Sequence, residues 1–355
     1  MDITVEVRPG ANRYATGKGI LQDLPAYLVP FKKVAVVTGE ISFQIFSDYY
    51  QKEFNYPLYR YNGSASREDA QRIADEIGEA DVILAIGGGR VLDTGKLVAE
   101  VMNIEMIAVP TLISNCAPFT PIVAVYHPDR TFREMGFMPR APFLTLIDYQ
   151  FLLVTPQDYF VAGIGDTIAK WYEIIGITKQ LSEEEKTAYI RLGIASAKVI
   201  LDILLSDSIE GIADLKKQQI TPAFERVADT IIGLAGETGG FAATYGRSAG
   251  AHAIHDGLSY LEATHAQLHG NKVAYGILVQ LAHTNELDEI KKLHTFYKNT
   301  GLPTKLAELD VLDTSKEGLA PCTQHAASLE ETFRMIDPEI TPEQVYQAIQ
   351  IVESL

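Results

Sequence analysis

The sequence predicts an α/β domain built on a parallel sheet over residues 1–155, followed by an all-α domain over residues 156–355. Three observations carry this. Short apolar runs alternate with amphipathic helical patterns as far as about residue 150, as expected when strands and helices take turns around a covered sheet. One run, Asp81-Val-Ile-Leu-Ala-Ile, ends in Gly87-Gly88-Gly89 and passes directly into a helical pattern. Past about residue 155 the strand-like runs stop and helical patterns follow one another to the end. A chain of 355 residues has room for two such domains.

Taken in order, Met1-Asp-Ile-Thr-Val-Glu-Val7 alternates like a strand. Val34-Ala-Val-Val-Thr-Gly39 reads as the first buried strand. Residues 66–80 form an amphipathic helix with Ser64 or Ser66 as its N-cap. Strands follow at 81–86, 106–110 and 143–148, all continuously apolar, which argues for a parallel sheet covered on both faces. In such sheets ligands sit at the carboxyl ends of the strands, where Gly39, Gly87 and Thr111 fall. Helices are predicted over 158–177, 182–205, 223–234, 248–260, 271–283 and 286–300, and again from Thr341 to the end. No flexible Gly/Ser linker marks the border near 150–160, so the working site is expected in a cleft between the domains.

Charge narrows the partners. Thirty Lys and Arg against 46 Asp and Glu leave a net charge of −16, which disfavours nucleic acid and anionic membrane surfaces. Two cysteines, Cys116 and Cys322, are too few for a disulfide framework and suit a reducing compartment. The N-terminus lacks the basic start and apolar core of a signal peptide. No apolar run approaches the ~20 residues that span a bilayer. The expectation is a cytoplasmic protein.

Two features carry chemistry. In Gly87-Gly-Gly-Arg-Val-Leu-Asp93-Thr-Gly-Lys96 a strand enters a turn without Cβ atoms, so backbone N–H groups can approach a phosphate. The helix that follows points the positive end of its dipole at the same place. The pattern reads as an anion or dinucleotide site, or else as a tight strand-to-helix turn with no ligand. The second feature is the histidines: four of eight, His252, His255, His265 and His269, fall within eighteen residues. The spacings let each pair share a helix face, and two helices could give one imidazole each to a divalent metal. Asp166, among glycines near a helix start, is the best third ligand, although an Asp after Gly can equally be an N-cap. Trp171 reads as packing. His127, His283, His294 and His325 read as surface or satisfied core residues, and Glu183-Glu-Glu-Lys as a solvated helix start.

Together these segments resemble the metal-dependent (iron-containing) alcohol dehydrogenase superfamily, in its glycerol dehydrogenase-like branch. The match runs through Gly-Gly-Gly-Arg-Val-Leu-Asp-Thr-Gly-Lys (87–96), Val-Pro-Thr (109–111), Gly-Ile-Gly-Asp-Thr-Ile-Ala-Lys-Trp-Tyr-Glu (163–173), Ala-His-Ala-Ile-His-Asp-Gly (251–257) and His-Gly-Asn-Lys-Val-Ala-Tyr-Gly (269–276). It implies a Rossmann-like domain that binds NAD, with Gly87, Gly88 and Gly89 against the pyrophosphate and Asp93 and Lys96 on the helix behind them. It also implies Glu40 near the adenosine ribose, where a carboxylate favours NAD over NADP. Thr111, Ser114, Thr120, Ile122 and Tyr126 are then expected to face the cofactor. The metal ligands carry over to Asp166, His252 and His269, with zinc favoured over iron, and His255 stands beside them, either behind a ligand or facing the substrate. The implied reaction is hydride transfer between a small alcohol or hydroxy acid and its carbonyl, in a homo-oligomer.

One position departs from the branch. Glycerol dehydrogenases typically carry Ser-Thr-Asp-Ala-Pro after the Pro-Thr motif, and this chain reads Ser114-Asn-Cys116-Ala-Pro118. A thiol is a weak hydrogen-bond partner and uncharged when protonated, so polyol recognition loses a carboxylate and a carboxylate substrate is no longer repelled. Relatives resembling hydroxycarboxylate dehydrogenases also lack that aspartate. Cys116 is therefore the expected selector, and a 2-hydroxy acid/2-oxo acid pair the expected substrate in place of glycerol. A glycerol or polyol dehydrogenase is the alternative. A dehydroquinate synthase-like lyase is another, which would need several basic residues, whereas Ala251 to Lys272 offers only Lys272.

Overall fold

The apolar runs pair into one sheet of six parallel strands in the computed structural model, which describes residues 7–355. These strands are β1 (Tyr14–Gly17), β2 (Val34–Thr38), β3 (Leu58–Arg60), β4 (Val82–Gly87), β5 (Glu105–Pro110) and β8 (Leu144–Asp148), in the order β1-β8-β5-β4-β2-β3. A separate antiparallel hairpin joins β6 (Ile122–Tyr126) to β7 (Phe132–Phe137). Helices α1 (Leu24–Leu28), α2 (Glu40–Tyr50), α3 (Arg67–Ile77), α4 (Gly89–Met102) and α5 (Tyr149–Leu152) connect the strands.

The sheet is covered on both faces because its strands are apolar at nearly every position. Val37, Ile83, Ala85 and Met106 face one core layer with Ile73, Leu97 and Val98. Val36, Leu84, Ile86 and Ile107 face the other with Phe46, Leu24 and Phe151. Ser66 caps α3 by accepting the Asp69 N–H at 3.1 Å. Buried Asp148, at the end of β8, accepts N–H groups from Gly19, Leu21, Gln150 and Phe151 and the Tyr49 hydroxyl, tying the turn after β1 to α5.

Among the described residues no strand follows Asp148. The helices are α6 (Gln157–Thr178), α7 (Ala188–Lys217), α8 (Pro222–Asp229), α9 (Ala235–Ala242), α10 (Gly250–Leu258), α11 (His269–His283), α12 (Leu287–Thr300), α13 (Ala320–Ala326) and α14 (Pro342–Ser354). A π-helical turn, Thr230–Leu234, separates α8 from α9. Contacts group residues 8–156 and 214–237 into a sheet unit, and 157–213 and 238–355 into a helical unit.

Several elements differ from expectation for physical reasons. The alternating residues 1–6 lie outside the described residues. Helix α7 starts later than expected and runs on to Lys217. Its expected end is at 205, but Ile212 and Leu215 are buried on the same helix, so the apolar face continues past that point. Strand β3 has only three residues, and β7 is exposed at five of its six positions, so neither leaves a periodic signal.

Candidate functional site

Backbone contact between helices brings the metal candidates together. Gly270 lies so close to α6 that a Cβ there would meet the Ala162 carbonyl oxygen at 1.8 Å, and a Cβ on Gly165 would meet the Gly270 oxygen at 2.7 Å. The neighbours of these glycines are Asp166, inside α6, and His269, the first residue of α11. Asp166 is thus ten residues into its helix, which corrects its placement at a helix start and removes the N-cap reading. His252 arrives from the first turn of α10.

The imidazoles are already oriented. His252 Nδ1 lies 2.9 Å from both oxygens of Glu173. His269 Nδ1 lies 2.9 Å from His255 Nε2, and His255 Nδ1 lies 2.8 Å from Asp256 Oδ1. Both candidate ligand rings therefore turn Nε2 toward Asp166 Oδ1, at 3.4 Å from His252 and 3.3 Å from His269. The three candidate ligand atoms fall within 4.8 Å of one another. Asp166 and His252 are largely buried, whereas the His269 side chain is 51% exposed, so the group is open on one side.

The electrostatics fit a cation. Burial alone would raise the Asp166 carboxyl, but the two imidazoles outweigh it and hold the group well below its usual range. Burial would likewise lower His252, yet Glu173 and Asp166 raise it. His255 is pushed down to about 3 by burial and by the neighbouring His269, so it is a neutral ring. A carboxylate and two imidazole nitrogens form a donor set suited to zinc, iron and other divalent ions. His265 does not share a helix face with His269 as its spacing suggested. It follows the short turn Glu262–Thr264, is exposed, and bonds the Ser259 carbonyl at 3.2 Å.

The sheet unit holds the other candidates. The chain leaves β2 for β3 on one side and then returns to β4 on the other, so connections diverge between β2 and β4, where doubly wound sheets open a crevice. Gly87 ends β4, Gly88 is the N-cap of α4 in extended conformation, and Gly89 begins α4. A Cβ at Gly87 would meet three carbons of Val91 at 2.5–2.7 Å, one at Gly88 would lie 3.1 Å from Leu112, and one at Gly89 3.1 Å from Asn115. Thr111 lies alongside, its N–H bonded to the Gly87 carbonyl at 3.1 Å.

Glu40 opens α2 with its side chain 81% exposed, paired to Arg60 at 3.1 Å. Arg60 also donates to the Gly39 carbonyl at 2.8 Å and lies over the Phe43 ring. Ser114 and Cys116 are half-buried in the loop after β5, where the Cys116 carbonyl accepts N–H groups from Phe119 and Thr120. Ile122 and Tyr126 bound β6, and the Arg90 guanidinium lies 5.1 Å from the centre of the Tyr126 ring. Asp93 and Lys96 are buried and engaged with protein: they form a 3.0 Å ion pair, Lys96 donates to the Thr120 and Ile122 carbonyls, and Asp93 accepts the Ala124 N–H.

Sequence reasoning left out Glu173, Asp256 and Arg60. Glu173 is seven residues after Asp166, hence on the same helical face, a spacing that carries the signal once Asp166 is suspected. Arg60 has no such signal because β3 is too short to be read. Trp171 packs on Ile174, Ala197 and Ala242, and His283 and His325 pair with Asp337 and Glu331, as their bland readings expect.

Residues 11–149 match the family described as iron-containing alcohol dehydrogenase. The chain is 37% identical over 295 residues to hydroxycarboxylate dehydrogenase A of Escherichia coli K12, covering 83% of this chain and 81% of that protein. It is 32% identical to glycerol dehydrogenase of Thermotoga maritima, over 99% of this chain and 97% of the relative. The crystal structure of glycerol dehydrogenase from Schizosaccharomyces pombe superposes with a TM-score of 0.88 at 25% identity, covering 99% of this chain and 91% of that one.

Proposed function

The chain belongs to the iron-containing alcohol dehydrogenase family, in its glycerol dehydrogenase-like branch, and we propose that it interconverts a small 2-hydroxy acid and the matching 2-oxo acid with NAD and a divalent metal. As an enzyme it is an oxidoreductase acting on CH–OH groups of small alcohols. The observation that carries the metal reading is the convergence of two imidazole Nε2 atoms on Asp166, each ring held from behind at Nδ1. When bound, the ion, preferably zinc, supplies Lewis acidity at the substrate oxygen and the nicotinamide supplies the hydride acceptor.

The chain's own residues do the rest. Asp166 contributes the negative charge, and His252 and His269 contribute neutral nitrogens. In the row Asp256–His255–His269 each Nδ1–H points toward the next acceptor, so both imidazoles keep their protons on the side away from Asp166. His255, neutral and occupied at both nitrogens, positions His269. Gly87, Gly88 and Gly89 offer main-chain N–H groups and a helix N-terminus to a pyrophosphate, with Thr111, Ser114, Thr120, Ile122 and Tyr126 around it. Asp93 and Lys96 fasten α4 to β6 beneath that surface. Glu40 bonds ribose hydroxyls and disfavours a 2′-phosphate. Cys116 leaves the substrate side without the carboxylate expected of glycerol dehydrogenases, and the relationship to a hydroxycarboxylate dehydrogenase supports the same substrate class.

The test is NADH oxidation by the zinc-loaded protein with 2-oxobutanoate, against NAD reduction with glycerol, each repeated after chelation. Fast, chelator-sensitive oxo-acid reduction is the expected result. Dominant glycerol activity would keep the enzyme class and overturn the substrate.

A further inference from the structure

We infer that Glu173 is a positioning residue for the metal: its carboxylate fixes the tautomer and rotation of His252 and at the same time caps the helix that carries it. The inference rests on the metal reading of Asp166, His252 and His269 and goes a step behind it.

Glu173 is 2% exposed, and its hydrogen-bond partners, Ala249 and His252, both belong to the start of α10. Oε1 accepts the Ala249 N–H at 2.6 Å, the His252 N–H at 3.0 Å and the His252 Nδ1 proton at 2.9 Å, and Oε2 lies 2.9 Å from the same Nδ1. Two of these donors belong to the start of α10, where N–H groups lack partners within the helix. A carboxylate there satisfies them and complements the positive helix end. The third donor is the ring. With Nδ1 committed to a carboxylate, Nε2 is left as the nitrogen that faces Asp166 and the ring plane is fixed, so the metal-facing nitrogen is decided before any ion arrives.

The two ligand histidines are held unequally. His252 rests directly on a buried anion. His269 reaches Asp256 only through the ring of His255, and the Asp256 side chain is 48% exposed. The direct, buried contact raises ligand basicity more than the relayed, solvent-screened one. Asp166 and Glu173, seven residues apart on α6, thus act on opposite nitrogens of one ring, so α6 sets both the oxygen ligand and the orientation of its neighbour.

The experiment titrates metal-free protein with Zn2+ in competition with a chromophoric chelator, and with Co2+ followed by its visible absorption. Wild type, Glu173→Gln and Asp256→Asn are compared, with thermal unfolding of each in excess chelator. The amide introduced by Glu173→Gln keeps an acceptor for the backbone N–H groups but sets an NH2 donor against Nδ1. Glu173→Gln should weaken zinc about 10- to 100-fold and shift the cobalt spectrum, and Asp256→Asn should do less. A fall in metal-free unfolding temperature alone, with metal affinity and cobalt spectrum unchanged, would make Glu173 a helix cap only and overturn the inference. If wild type binds neither ion, the metal reading fails and this inference with it. Should Glu173→Gln not fold, 15N-histidine NMR of zinc-loaded wild type decides: a proton on His252 Nδ1 supports the inference, and one on Nε2 overturns it.

Discussion

The two units present opposite kinds of surface. In the sheet unit the converging residues are Gly87, Gly88 and Gly89, which contribute main chain alone. In the helical unit they are Asp166, His252 and His269, whose side chains offer the candidate ligand atoms. A main-chain site depends on the absence of Cβ atoms and should fail by steric increments. A side-chain site depends on three atoms from three helices and on the groups behind them, and should fail in one step. The largest expected effect is therefore in the helical unit. Asp166→Asn, which keeps the shape and removes the charge, should lower kcat/KM by about 10^3-fold, equivalent to ~4 kcal/mol of charge stabilisation. Zinc per chain, measured by atomic absorption, should fall to near zero, while NADH affinity, measured by fluorescence, should not move. A parallel loss of NADH binding would break the comparison.

The same contrast governs what could be read from the sequence. The strands at β2, β4, β5 and β8 were legible because each is a nearly unbroken apolar run bounded by polar residues or glycine, and the glycine turn was legible because its signal is local. The long helices were legible as periods, though α7 runs past the expected end at 205 to Lys217. The site in the helical unit was only half legible. The histidine pattern pointed to α10 and α11, but spacing grouped His265 with His269, whereas the turn at Glu262–Thr264 separates them. Which aspartate joins them is a tertiary fact, set by the backbone contact of Gly270 with α6. The motif resemblance selected Asp166, and periodicity alone could not. Glu173 carried a signal only once Asp166 was suspected, and Arg60 carried none because β3 is too short to be read.

A smaller effect is expected at the glycine turn. A Cβ at position 88 would lie 3.1 Å from the end of the flexible Leu112 side chain, which can yield. Gly88→Ala should therefore fold, place a methyl where the main chain meets the pyrophosphate, and weaken NADH about tenfold, or ~1.4 kcal/mol. Gly87→Ala is the control. Its Cβ meets the stiff, β-branched Val91 at 2.5–2.7 Å, so it should cost about 1–3 kcal/mol of stability and lower the unfolding temperature. If Gly88→Ala binds NADH as wild type does, the main-chain reading of this turn is wrong.

Smaller again is the effect at Glu40, where the sheet unit does use a side chain. Arg60 sits 3.1 Å from it and neutralises part of its charge, so the proposed discrimination against a 2′-phosphate would rest on a screened carboxylate. Glu40→Ala frees the guanidinium, and kcat/KM with NADPH should rise about fivefold, the scale of an exposed charge interaction of ~1 kcal/mol. Adding Arg60→Ala should reverse that gain. An unchanged NADP preference in Glu40→Ala would move the ribose elsewhere on the sheet.

The smallest effect compares the units through their thiols. Cys322, in the helical unit, is 0% exposed, and a Cβ on Gly257 would sit 3.2 Å from its sulfur. Burial pushes its thiol up to about 12, so at pH 8 only about one molecule in 10^4 carries the reactive thiolate. Cys116, in the loop after β5 of the sheet unit, is half-buried. A disulfide reagent such as DTNB should therefore release one equivalent of chromophore per native chain, from Cys116, and the second only on unfolding. Cys116→Ser should abolish the native equivalent. Two equivalents released together from native protein would mean that the helical unit opens as readily as the loop, and a site built from three helices could not then keep its atoms within 4.8 Å of one another.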